Sequence, residues 1–292
     1  GVLMSGSLNY FQKIASLVSQ YSPDLSFTIF EIGARPLGGE KECFYDLLEY
    51  FPKSKVAAFE VDEALCKEMN EKTADNITFY PTGLGFKDGV QTLYETIAPE
   101  CCSLYKANES LLSKYNGLEG SMPKSEFEVP VRSLDSFVQE HNIESIDFIK
   151  IDIQGAELDV FKGGQVALKN TVCIVSEVEF VPLYIDQPLF GDVCKQLMKS
   201  DFMFHKFLSM AGRSLKPVVL KNNVHTPSQY MWSDAVFIRD LDKLDSLSSD
   251  SILKLALLAF MYGSADLTFY CFKIFDEKEK TDIQSKFASL LA

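Results

Sequence analysis

Ile146-Asp147-Phe148-Ile149-Lys150-Ile151-Asp152-Ile153-Gln154-Gly155-Ala156-Glu157 is the stretch on which the fold turns. Its first six residues are mostly β-branched or aromatic, without the strict alternation of a half-exposed strand. They read as a strand buried on both faces, the kind found in parallel sheets. Gln154-Gly155 breaks the run, and Glu157 opens a helix expected to continue to Leu168. Asp152 therefore falls at the carboxyl end of a buried strand, where open α/β sheets bind their ligands. A carboxylate there needs a partner or a task. Lys150 shares its side of the strand and is one candidate partner.

Upstream of this segment the same alternation of strand and helix recurs. Phe27–Ile32 reads as a strand, Glu40–Phe51 as a helix, Val56–Val61 as a strand, Glu63–Lys72 as a helix and Ile77–Tyr80 as a strand. That β-α-β-α-β order predicts a doubly wound α/β fold, a mostly parallel sheet with helices on both faces. Thr82–Ser125 is richer in glycine, serine and asparagine and suits a substrate loop, with Val90–Tyr94 as a short extra strand. Phe127–Val131 then reads as a strand and Leu134–His141 as a helix. Downstream, Val172–Val178, Phe202–Leu208 and Ala235–Ile238 are strands, and Phe190–Lys199 is a helix. An amphipathic helix through Phe11, Ile14, Ala15 and Val18 comes first and stops before Pro23. After Asp240 the pattern is helical, with Ile252–Tyr262, Ala265–Phe275 and Thr281–Leu291. The expected divisions are an N-terminal helical segment (1–24), a central α/β domain (25–240) and a C-terminal helical extension (241–292).

Two turns carry ligand chemistry. Glu31-Ile32-Gly33-Ala34-Arg35-Pro36-Leu37-Gly38-Gly39 follows the first strand, and glycine there lets backbone approach a ligand. The spacing lacks the middle glycine of G-x-G-x-x-G, where Arg35 stands, so a pyrophosphate fits poorly. Glu31 suits a ligand bearing a cation or amine. The second strand ends Phe59-Glu60-Val61-Asp62, and an acid at that place can accept hydrogen bonds from ribose hydroxyls. Asp62 alternatively serves as a helix N-cap. Two acids at two successive strand ends favour a nucleoside with a positive charge.

Composition narrows the partners. The 292 residues are 47% hydrophobic with a formal net charge of −13, a globular and acidic chain. Nucleic-acid backbones and anionic membranes reward clustered lysine and arginine, which are absent, so neither is an expected partner. Ile252–Tyr262 is too short to span a bilayer and is interrupted by Lys254. Seven cysteines without a spaced framework fit reduced thiols, and no secretory leader is visible, so the expected compartment is the cytoplasm. No histidine and acid cluster has metal-ligand spacing, and neither a nucleophile elbow nor a P-loop is present.

The central segment, with Val131-Arg132-Ser133-Leu134-Asp135 before it, resembles the FkbM family of S-adenosylmethionine-dependent methyltransferases. The family signature reads approximately Lys-Ile-Asp-Val-Glu-Gly-x-Glu. Val178-Glu179-Phe180-Val181-Pro182-Leu183-Tyr184, Gln187-Pro188-Leu189-Phe190 and Trp232-Ser233-Asp234-Ala235-Val236-Phe237 continue the resemblance in order, from about Phe27 to Arg239. Glu31 stands where the family usually has Asp, and Gln154 where it often has Glu. The resemblance implies a seven-stranded Rossmann-like methyltransferase sheet that takes S-adenosyl-L-methionine. It places Glu31 and Gly33 at the methionine end and Glu60 at the ribose, with Ala34, Val61, Gly83, Leu84, Ser103 and Asp152 as further cofactor-binding residues.

Methyl transfer from a sulfonium is an in-line displacement that depends on placement of the acceptor. A hydroxyl acceptor also needs a base within hydrogen-bond reach. The candidates are Asp152, Glu177, Glu179, His205 and His225, with Asp152 and Glu179 favoured as catalytic residues. His205 lies among Phe204 and Phe207 and suits a core edge, and His141 suits the end of a helix. The Asn/Asp-Pro-Pro-Tyr signature of amine methylation is missing after the strand ending at Ile151, which favours oxygen. The expected activity is O-methylation of a hydroxyl on a small molecule or glycan. Two alternatives stand beside it: a nucleoside-binding or interaction module without turnover, and a nicotinamide oxidoreductase.

Overall fold

A computed structural model describes residues 2–34, 41–226 and 228–292. Helix α1 (Val2–Tyr21) precedes the sheet, burying Ile14, Ala15 and Val18 before Pro23 ends the pattern. The first β-α-β-α-β unit follows as β1 (Thr28–Ile32), α2 (Asp46–Tyr50), β2 (Lys55–Phe59), α3 (Glu63–Lys72) and β3 (Ile77–Tyr80). The helix expected over 40–51 is a single 3-10 turn at Cys43–Tyr45 running into α2. Gly38, Gly39 and Glu40 lie outside the described residues.

The middle of the chain builds something the sequence reading did not foresee. β4 (Gly83–Gly85), β5 (Gly89–Thr96), α4 (Glu109–Leu112) and β6 (Pro123–Ser133) follow β3, and the three strands form a separate sheet in the order β4-β6-β5. The expected strands at 90–94 and 127–131 are thus parts of this second sheet, paired to each other from Gly89–Val131 to Thr96–Pro123. Along β6, the central strand of this sheet, Pro123–Glu128 are exposed and Val129 and Val131 are buried.

The main sheet resumes with α5 (Leu134–Glu140), β7 (Phe148–Ile151), α6 (Glu157–Lys162), β8 (Cys173–Glu179), α7 (Phe190–Met198), β9 (Phe202–Phe207), β10 (Ala211–Arg213) and β11 (Gln229–Arg239). Its order is β10-β11-β8-β7-β1-β2-β3, with β9 also pairing β11. β1, β2, β3, β7 and β8 are parallel, and β11 runs antiparallel between β8 and the edge. The sheet therefore has eight strands where seven were expected. The edge position is filled twice, because the chain between β9 and β10 leaves the ladder at Leu208–Met210, where the Ser233 hydroxyl donates to the Ser209 carbonyl. Helix α6 stops at Lys162, short of the expected Leu168. A Cβ on the next residue, Gly163, would lie 2.5 Å from the Gly85 carbonyl oxygen of β4, so the glycine lets the two backbones touch.

Alternation splits the core. Ile29, Val56, Phe148 and Val175 face one side, packed against α1 and the tail helices α8 (Ser249–Met261), α9 (Ala265–Glu279) and α10 (Ile283–Leu291). Phe30, Ile32, Ile149, Ile151 and Val178 face the other side, against α5, α6 and α7. Helix α8 is buried nearly all round, so its unbroken apolar run is that of a central helix and not a surface one. No helix of the described residues is long and apolar enough to cross a membrane.

Candidate active site

Strand register decides where the chemistry sits. Ile32 pairs with Phe59 on one side and Ile151 on the other, so β1, β2 and β7 end level. The next residues, Gly33, Glu60 and Asp152, emerge together at the carboxyl edge of the sheet. They line one cleft of about 880 Å³, with Val61, Gly83, Leu84 and Ser103 also in its walls. Leu93, Glu95 and Phe127 of the small sheet, with Pro99, Glu100, Cys102 and Leu104, add to its walls.

Gly33 is the tightest point. Its φ of +86° is left-handed, and a Cβ there would lie 2.0 Å from the Asp152 carbonyl oxygen. The backbone N–H groups of Gly33 and Ala34 both donate to the Phe59 carbonyl, at 3.2 and 3.0 Å, tying the turn to β2. Ala34 is buried in the core on the tail-helix side and Glu31 points away from the cleft, so neither lines it. Glu31 instead faces Tyr45 and Lys150. Burial pushes its carboxyl above the usual range, and the Tyr45 hydrogen bond pulls the other way. Its Oε2 atom is buried with no hydrogen-bond partner among the described residues.

Glu60 accepts the backbone N–H of Asp62 at 3.1 Å, and Asp62 in turn caps α3 by accepting from Leu65 N–H at 3.0 Å. Asp62 is thus the N-cap that the sequence offered as one reading, and Glu60 stands in the wall of the cleft.

Asp152 sits in a braced turn. Gln154 adopts φ +54° and Gly155 φ +101°, a left-handed pair that the sequence marks only by its glycine. Glu157, 2% exposed, accepts from Ile153 N–H at 2.9 Å and Gly155 N–H at 3.0 Å, so one carboxylate clamps both sides of the bend. The Ser103 hydroxyl donates to the Gln154 carbonyl at 2.5 Å, which joins the loop wall to the turn. The Gln154 amide donates to Asp152 Oδ1 at 2.8 Å, and the Tyr184 hydroxyl lies 3.1 Å from Gln154 Oε1 and 2.7 Å from the Cys101 carbonyl. Sequence reading missed Gln154, Glu157 and Tyr184 as a set, because Tyr184 reaches the turn from a segment 30 residues further along the chain.

Behind Asp152 lies a group of buried acids. Glu179 is 2% exposed and does not line the cleft. Burial raises its carboxyl to about 7; the hydrogen bond with Glu177 opposes that rise and the charge of Asp152 adds to it. Burial, again first, together with neighbouring acids pushes Glu157 and Glu177 well above the ordinary range. Glu179 Oε1 and Gln187 Nε2 face each other, both buried and neither in a well-formed hydrogen bond. Lys150 is the cation among them, 3.8 Å from Asp234 and 3.9 Å from Glu42, with Asp152 also raising its affinity for its proton. Lys150, the candidate partner of Asp152, thus makes its ion pairs to Asp234 and Glu42 and feels Asp152 as a neighbouring charge.

The histidines stand elsewhere. His205 shares a 2.7 Å hydrogen bond with Ser264, and burial lowers its pKa. His225 lies in an exposed loop, and His141 ends α5 stacked on Phe137. Among the described residues no three His, Cys, Asp or Glu side chains converge as a metal site requires.

The sequence profile of the methyltransferase FkbM domain matches residues 31–204. The chain is 29% identical over 192 residues to the 2-O-methyltransferase NoeI of Sinorhizobium fredii, covering 63% of this chain and 74% of that protein. Among solved structures it is similar to an FkbM methyltransferase from Methylobacillus flagellatus, with a TM-score of 0.39 and 16% identity. That likeness covers 73% of this chain but only 43% of the other. Magnesium protoporphyrin IX methyltransferase from Synechocystis, solved with S-adenosylmethionine bound, gives a TM-score of 0.32 at 9% identity over 81% of each chain. The profile match spans more than half of the sequence and includes the turns that build the cleft, and on that ground the chain belongs to the FkbM family of methyltransferases.

Proposed function

We propose that the cleft holds S-adenosyl-L-methionine and that the protein methylates a hydroxyl oxygen on a small molecule or sugar. The observation that carries the reading is the charge of the lining. Glu60, Asp62, Glu63, Glu95, Glu100 and Asp152 line the cleft, and no Lys, Arg or His does so among the described residues. Such a site suits a ligand with a sulfonium and an ammonium group. It repels the pyrophosphate of a nicotinamide dinucleotide, which needs cations or a helix N-terminus. The apolar part of the lining, including Ile32, Val61, Leu84 and Leu104, suits an adenine ring. The residues present thus fit the donor. Oxygen as the acceptor atom is favoured by the relative NoeI, a 2-O-methyltransferase, and by Ile153-Gln154-Gly155 in place of an amine-methylating signature.

When bound, S-adenosylmethionine supplies a methyl group on a positively charged sulfur. Glu60 accepts hydrogen bonds from the ribose hydroxyls, and the Gly33 turn admits the methionine end without a side chain in the way. Asp152, held by the Gln154 amide, takes the proton from the acceptor hydroxyl. Glu177 and Glu179 stand behind it, their carboxyls raised by burial and by the charge of Asp152. The low-dielectric backing strengthens each of these interactions.

Calorimetric titration with S-adenosylmethionine and with NADH tests the cofactor, and transfer of a labelled methyl group to a panel of sugars and small alcohols tests the reaction. Binding of the sulfonium donor with NADH ignored is the expected result. Tight NADH binding would reverse the ranking, and donor binding without transfer to any acceptor would favour a module that holds the nucleoside without turnover.

A further inference from the structure

Lys150 is a largely buried cation whose hydrogen-bonding capacity is left over. Its ammonium carries three N–H donors and no acceptor. The side chain is 12% exposed, yet the carboxylate oxygens of its ion pairs stand 3.8 Å away on Asp234 and 3.9 Å away on Glu42, beyond hydrogen-bond reach. Among the described residues it makes these two ion pairs and no hydrogen bond. The Asp234 carboxylate has Lys150 as its one side-chain partner among those residues. Burial works against the lysine's charge, but Asp234, Asp152, Glu42 and Glu177 together outweigh it and hold the proton. Glu31, which also feels Lys150, keeps its buried Oε2 without a hydrogen-bond partner. Donors and acceptors are thus left unused in one place.

Alternation fixes where that place is. Glu31 follows Ile29 by two residues, Lys150 follows Phe148, Glu177 follows Val175, and Asp234 precedes Val236. Each charged residue therefore shares its face with an apolar one packed against the tail helices. The cofactor cleft opens from the other face, where Ile32, Phe59 and Leu84 line it. Asp152 lines the cleft and also acts on Lys150 as a charge, so it stands at the junction of the two. Trp232, half-buried and two residues from Asp234 on the same face of β11, gives the row an apolar end.

The mixture of charges selects the ligand. A phosphate or carboxylate would meet Asp234, Glu42, Glu31 and Glu177, and an ammonium would meet Lys150. A hydroxyl is neutral and both accepts and donates, so neither repulsion applies to it. We propose that Lys150, Asp234 and Glu42 form the acceptor subsite and hold two adjacent hydroxyls, so that the methyl acceptor is a vicinal diol such as a sugar ring. Each hydroxyl accepts from Lys150; one donates to Asp234 and its neighbour to Glu42. The inference rests on the reading that this protein methylates a hydroxyl, and it makes Lys150 and Asp234 the residues that choose which molecules present one to the donor.

The test reads polyol binding apart from methyl transfer. Saturation-transfer nuclear magnetic resonance is recorded on the full chain with the methyl pyranosides of mannose, glucose and galactose, and with cyclohexylmethanol as a single-hydroxyl control. At least one glycoside is expected to receive saturation and the control none. In Lys150→Met and in Asp234→Asn the affinity for that glycoside is expected to fall by about tenfold or more, the worth of a hydrogen bond to a charged group. Calorimetry is expected to show S-adenosylmethionine affinity unchanged in both variants within about threefold. If Lys150→Met does not fold, Glu42→Gln, at a more exposed position, takes its place in the comparison. No saturation of any glycoside by the folded, unmutated protein would overturn the proposal, as would glycoside binding that Asp234→Asn leaves unchanged. A protein that ignores S-adenosylmethionine but binds a glycoside through Lys150 and Asp234 would remove the methyl-transfer reading and leave the polyol subsite in place.

Discussion

Glu60, just past β2, and Glu179, at the end of β8, show how differently two carboxylates of one sheet can be used. Glu60 lines the open cleft and spends one hydrogen-bonding site on its own turn, at 3.1 Å to Asp62 N–H. Glu60→Ala is expected to weaken S-adenosylmethionine binding by about 1–3 kcal/mol, the worth of hydrogen bonds to a charged group. Calorimetry on the folded variant checks it, and an unchanged affinity would mean that another residue holds the ribose. Glu179 is buried, and its carboxyl is raised from the ordinary 4.5 to about 7. An acid raised on folding binds its proton more tightly in the folded chain than in the unfolded one. Its contribution is therefore fully present below about pH 4.5 and is lost as pH rises through about 7. Glu179→Gln, which cannot ionise, is expected to gain on the unmutated protein across that window by on the order of 3 kcal/mol. Denaturant melts of both proteins at pH 5 and pH 8 give the comparison, and a stability difference that does not change with pH would sink the assignment.

At the scale of elements, the site depends on strands that end level and on a turn that lets them touch. Gly33→Ala would place a Cβ 2.0 Å from the Asp152 carbonyl oxygen, on backbone already at φ +86°. The ends of β1 and β7 would have to part. The expected loss is roughly 3 kcal/mol of stability, from strain and overpacking together, with donor binding lost as well. Thermal melts with and without S-adenosylmethionine measure both. The strands themselves were legible, because Phe148 on one face and Ile149 and Ile151 on the other are apolar, a pattern that a two-sided core rewards. The second sheet was not. β5 and β6 pair with each other across an intervening loop and α4, and nothing in a local window reports which distant strand a partly exposed strand will join. The length of α6 was misread for a similar reason, since Gly163 marks a backbone contact with β4 that lies far away in sequence.

For the whole molecule the tail is part of the core. Ile252, Leu255, Phe272 and Phe287 are each fully buried in the cluster that also holds Ile14 of α1 and Phe148 of β7. Removing residues after Asp240 would uncover that face of the sheet, and the truncated chain is expected to be insoluble. A soluble, active fragment would show the tail to be an independent module. One ion pair anchors it: Lys254 of α8 lies 3.0 Å from Asp147, whose other oxygen accepts Thr28 N–H at 2.7 Å at the start of β1. Lys254→Ala leaves a buried carboxylate unpaired and is expected to cost about 3–5 kcal/mol. Lys254→Ala with Asp147→Asn should recover much of that, and chemical denaturation of the two variants separates the charge from the packing.

The amino-acid order alone determined the alternation of strands and helices, the placement of Gly33, Glu60 and Asp152 at strand ends, and the membership that the motif around Asp152 announces. Each of these is written in local periodicity or in short spacing, which survive without knowledge of distant neighbours. Only the folded chain decided that those three ends lie level, that Glu31 and Ala34 turn away from the cleft, and that Gln154, Tyr184, Glu157 and Glu179 gather around one carboxylate. Such facts depend on register between strands and on side chains meeting across tens of residues. A carboxyl's proton affinity follows from what surrounds it in space, and the linear sequence does not contain that distance.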